Sequence, residues 1–237
     1  MSVEFIPAAH VAEVTRRIQS ARQSATASCG PAPREPSAVY WEGLFETNAT
    51  RVLAEIGSVH LNPGFVVRYR FFGEHGGDLL VRPFVARATT DVDTVRQLID
   101  WHPAPDSVAG SRMMATQDVE LLYRHFDFPR TAVGFFDYWI TMQELWASSR
   151  WVHSHLITSA DELRRITAGD GWEVVHPVQA YEPAIVLTSD SAQLAVLLQS
   201  PLRRFAIHLE QIEIGADHAV GYGESVLVAS GPRGYLI

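Results

Sequence analysis

The chain has 237 residues, 47% of them apolar and 19% charged, with a formal net charge of −8. A chain of this length and composition buries a sizeable core, and its acidity excludes the basic surface that non-specific nucleic-acid binding requires. All 19 basic residues are arginine; without lysine there is no Schiff base to pyridoxal phosphate or a carbonyl substrate, and no P-loop nucleotide site.

Val11, Val14 and Ile18 recur at helical spacing and predict a first helix up to about Ala25. A Pro/Gly/Ser-rich stretch from Ala27 to Ser37 breaks it. The single cysteine, Cys29, falls in that stretch and reads as a loop residue, with no partner for a disulfide, a redox pair or a thiolate zinc site. A second helix is expected over Ala38 to Ile56, with Trp41, Phe45, Val52 and Ile56 on one stripe and Gly57 where a C-terminal cap belongs.

From Phe65 the texture becomes β-branched and aromatic. Val66 to Phe72 reads as a strand, Glu74 to Gly77 as a turn, and Asp78 to Arg87 as the return. Ala88 to Asp91 then signals a helix start running into Val95, Leu98 and Ile99. The same order is read again further on. Phe135 to Leu145 is expected as a strand, Ala147 to Ser149 as a turn, Trp151 to Ile157 as the return, and Thr158 to Asp161 as a helix start. A third, shorter echo runs from Ala184–Leu187 into a helix around Leu194 to Leu198. A last hairpin joins Phe205–Ile214 to Ala219–Ala229 through Gly215 to His218.

These elements predict an α+β fold: N-terminal helices in residues 1–60, then a single compact unit, 61–237, of antiparallel hairpins interleaved with helices. Tyr69 stands twenty residues before Thr89, and Tyr138 twenty before Thr158, which suggests internal duplication of a hairpin–helix unit. Helices would cover one face of the sheet. The other face would be solvated, closed around a ligand, or paired with a second copy in a homodimer.

No sequence motif dictates a reaction. In the expected second hairpin, a two-residue turn at Ser148–Ser149 sets Glu144 opposite His153 and Met142 opposite His155, with Tyr138 and Trp151 beside them. Two imidazoles and a carboxylate on one face suit a divalent metal, or, without metal, general acid–base chemistry by Glu144, His153 and His155. A slip of one residue would send Glu144 to the other face. Arg68 and Arg70 share a strand face and would clamp an anionic group, while Tyr138 and Trp151 would contact an aromatic one.

The function expected from these residues is binding or transformation of a small anionic or aromatic molecule. A lysine- and thiol-independent hydrolase, lyase or isomerase fits. The alternative is a non-enzymatic acidic interaction module, of the immunity or regulatory type, since Trp, Tyr and Arg suit an interface equally well. No apolar run reaches the roughly 18 residues that cross a bilayer. Glu4 and Glu13 interrupt the N-terminal segment where a signal peptide would be apolar. A cytoplasmic protein without membrane contact is therefore expected.

Overall fold

The computed structural model describes residues 2–29, 38–75, 78–89, 119–120, 122–146, 155–200 and 204–233. Among these, four α-helices pack with a seven-stranded antiparallel sheet and two smaller sheets, an α+β architecture. The expected helix through Val95, Leu98 and Ile99 lies outside the described residues.

Helix α1, Ala8–Cys29, buries Val11, Val14, Ile18, Ala21 and Ala25. Their alternating steps of three and four make one stripe, and α2, Ala38–Ile56, answers with Ala49, Val52 and Ile56. The two helices pack on one another. Gly57 ends α2 at φ +70°, with its N–H donating to the Leu53 carbonyl at 3.1 Å, a left-handed cap that a Cβ would disfavour. Two readings are corrected here. Residues 1–60 are not wholly helical, because β1, Val3–Phe5, forms an edge strand; and the backbone of α1 continues through Cys29 instead of entering a loop after Ala25.

After β2, His60–Leu61, the hairpin β3, Phe65–His75, and β4, Asp78–Arg87, forms as expected, with Arg70 opposite Arg82. It is joined by β5, Val119–Glu120, and its Val67 and Tyr69 pack inward as β3 lies on α2. A turn of 3-10 helix, Leu122–His125, leads into β6, Phe126–Asp127, which pairs with β2.

The segment expected to open a second hairpin is instead α3, Ala132–Trp146. Thr131 caps it, its hydroxyl accepting from the Gly134 amide at 3.2 Å. Aromatic and β-branched residues suggested a strand, yet twelve of the fifteen residues are buried, so the run shows no alternation of any period. A helix buried on nearly every side is continuously apolar, and its length, not its texture, separates it from a strand. The duplication of a hairpin–helix unit fails at this point.

The large sheet follows: β7, His155–Ile157; α4, Ala160–Thr167; β8, Glu173–Val174; β9, Ala184–Leu187; β10, Ala192–Ser200; β11, Arg204–Ile214; and β12, Val220–Arg233. The strand order is β1-β9-β10-β11-β12-β8, with β7 continuing alongside β10 beyond the end of β9. Thus the Leu194–Leu198 stretch is the central strand, not a helix. Its Ala, Gln and Leu residues favour helix intrinsically, but pairing on both sides overrides that preference.

Alternation along β10 assigns the faces. Leu194, Val196 and Leu198 join Ile185, Ile212 and Ile214 in the main core with α1, α2 and α3. Leu197 points the other way, into a second cluster with Ile157, Leu163 of α4, Ile207, Val228 and Ala229. The sheet therefore has helices against one face and, over part of the other, α4 with the chain that follows it.

Candidate functional site

Of the residues expected to form one site, those that are described are dispersed. Glu144 lies on α3, where the Arg22 guanidinium of α1 donates through Nε at 2.7 Å and Nη2 at 2.5 Å to its two carboxylate oxygens. Burial pushes the Glu144 carboxyl up, against the pull of the Arg22 charge and hydrogen bonds. His155 lies on β7 and shares the parity of Ile157, which belongs to the second cluster on the opposite face of the sheet from α3. Its Nε2 contacts Glu162 of α4 at 2.8 Å. Burial works to raise the Glu162 carboxyl, but the Thr158 amide and His155 together hold it below its ordinary value.

Glu144 and His155 are thus on different sides of the sheet, because the expected hairpin register requires a strand where α3 stands. Tyr138 is fully buried and donates to the His218 carbonyl at 2.7 Å, a latch on the β11–β12 turn and not a ligand contact. Arg68 and Arg70 belong to β3, in another sheet. Trp151 and His153 lie outside the described residues. Among the described residues, no three His, Cys, Asp or Glu side chains are grouped to hold a metal.

A carboxylate–histidine pair that the sequence reading missed sits between the helices. Asp137, buried on α3, accepts from Nε2 of His10 at 2.6 Å and from the Ser58 hydroxyl at 2.6 Å. His10 and Ser58 thus supply two side-chain partners of one buried carboxylate. The contact fixes the imidazole ring, while Ser58 spends its proton on Asp137 and is not activated. One aspartate within the apolar run Phe135–Met142 was the available signal, since a buried charge demands partners.

The other face of the large sheet carries a cavity. Between β8 and β9 the chain crosses this face as a strap, His176–Glu182, anchored where the amides of Val175 and His176 both donate to Val228 O, at 2.8 and 3.2 Å. Beneath it lies a space of about 310 Å³ floored by Ala195, Leu197, Leu209, Val226 and Val228. The register explains that floor, since Leu197 pairs with Leu209 and Leu209 with Val226, so all three project from one face. Trp172 packs against the second cluster by lying on Gly231, where a Cβ would come within 2.8 Å of its ring carbons.

Compared with family models, curated proteins and solved structures, the chain matches none.

Geometry and chemistry are therefore what describe this cavity. Its size falls at the lower end of small-molecule sites, roughly 300–1,000 Å³. Its floor is aliphatic, and polar groups are supplied by the strap, through His176, Gln179, Tyr181 and Glu182. An apolar floor with a few polar groups on one wall binds by desolvation and orients by hydrogen bonding. A second hollow, of about 240 Å³, adjoins it along the same face and shares Ala184 and Ala195.

Proposed function

We propose that this protein binds a small, largely apolar molecule in the cavity between the large sheet and the strap His176–Glu182. The observation that carries this reading is the pairing of an aliphatic floor with a strap that closes over a space of about 310 Å³ and brings polar groups to it. The cavity lies on the face away from α3, so His10 and Asp137 take no part in it. Arg68 and Arg70 are in another sheet, so the anionic ligand expected from them has no counterpart here.

Titration with N-phenylnaphthylamine, whose fluorescence rises in apolar surroundings, tests the proposal. Saturable binding is expected in the wild type. In Leu209→Trp, an indole would occupy the cavity, and binding should weaken by roughly tenfold or more while the thermal midpoint is held. A probe signal that never saturates, or one unchanged by Leu209→Trp, would sink the reading.

A further inference from the structure

The chemical class of the ligand follows from the rows that the strands set side by side, an inference that rests on the ligand-binding reading above. Along the open face of β9, β10 and β11 the register makes three rows. Leu197 pairs with Leu209 at the inner end, Ala184 with Ala195 and Ala195 with Gln211 in the middle, and Val186 with Gln193 and Gln193 with Glu213 at the outer end. The strapped cavity occupies the first row and the neighbouring hollow the last, and the two alanines are common to both. The two residues common to both spaces carry only methyl side chains.

From Gln193 to Leu197 the floor runs four residues, about 13 Å at roughly 3.3 Å per strand residue. Along that length it changes from aliphatic to polar. Among the described residues lining the two spaces, Glu182 lies in the strapped cavity and Glu213 in the neighbouring hollow, and no arginine is among them. The formal charge of −8 gives the whole molecule the same sign. An anionic head would be repelled in either space, whereas an ammonium in the outer hollow finds the Glu213 carboxylate and the amide oxygens of Gln193 and Gln211.

We infer that the two spaces form one site for an elongated alkyl amine, its chain on Leu197 and Leu209 and its ammonium at Glu213, with Ala184 and Ala195 as the waist. The chain contributes by leaving water, so each further buried methylene tightens binding by roughly three- to fourfold until the floor is covered. The head sets selectivity through a carboxylate at the exposed end.

The test is displacement of N-phenylnaphthylamine by hexylammonium, decylammonium and decanoate at low salt. Decylammonium is expected to compete best, hexylammonium by roughly a hundredfold less, and decanoate more weakly than decylammonium. In Ala195→Phe, and separately in Ala184→Leu, the preference for decylammonium over hexylammonium should be lost, read by calorimetric titration of each amine so that it does not depend on the probe. Glu213→Gln should bring decylammonium and decanoate closer together. The chain-length series on the wild type stands even if Ala195→Phe does not fold. A probe that binds while decanoate equals or exceeds decylammonium, or while chain length has no effect, overturns the alkyl-amine site and leaves the cavity reading standing. A probe that does not bind removes both.

Discussion

Arg22 and Glu144 form a largely buried ion pair, at 19% and 10% exposure. A pair of this kind adds little net stability, but breaking it is costly, because the survivor stays buried without its partner. Arg22→Ala is expected to cost about 3–5 kcal/mol at neutral pH. The sign of its pH dependence follows from burial, which raises the Glu144 carboxyl. A folded state whose acid has a raised pKa holds its proton longer than the unfolded chain, so that contribution favours folding at low pH and is lost as pH rises. With Arg22 gone nothing opposes the rise, and the deficit of Arg22→Ala should shrink as pH falls from 7 towards 4. Urea unfolding of both proteins across that range checks it; a deficit that grows on acidification refutes the account. His10, Ser58 and Asp137 obey the same rule at shorter range, two donors satisfying a carboxylate that the core would otherwise exclude.

Elements here are held by contacts that substitutions can address one at a time. Helix α4 is short, and Ser159 caps it by accepting from the Glu162 amide at 3.2 Å, while Leu163 is its buried contact with the sheet. Trp172 follows, and its ring occupies the space that a side chain on Gly231 would need. Gly231→Ala must therefore displace the indole, and a cost of roughly 1–3 kcal/mol is expected from overpacking. Because the indole must move, the same substitution should shift tryptophan emission. Unchanged emission in Gly231→Ala would mean that Trp172 does not lie on β12 as described.

At the scale of the molecule, the large sheet has a heavy side and a light side. Against one face lie α1, α2 and α3, with Ile185, Leu194 and Ile212 buried beneath them. Over the other lie α4 and the strap, and the second cluster there is far smaller. Local stability follows buried apolar contact and backbone pairing, so the light side should open first. Hydrogen exchange is expected to release the amides of Val175 and His176 well before those of Leu194 and Ile212. Saturating ligand should slow that release, since it binds only the closed layer. Equal protection on the two sides would contradict this asymmetry. No helix among the described residues is long and apolar enough to cross a membrane.

What the sequence determined alone is local. The stripe Val11–Val14–Ile18, the cap at Gly57, the hairpins beginning at Phe65 and Phe205, and the Ser159 helix start all rest on neighbours a few residues apart. So did the class of fold, and the exclusion of lysine chemistry, which needs only the residue count. Tertiary structure decided the rest. Whether Phe135–Leu145 is strand or helix depends on being enclosed on all sides, and whether Leu194–Leu198 is helix or strand depends on partners at β9, β7 and β11. The expected union of Glu144 with His155 needed a register that burial of α3 forbids. The cavity floor needed strands distant in sequence to meet in register, and periodicity within one segment carries no information about which other segment it will face.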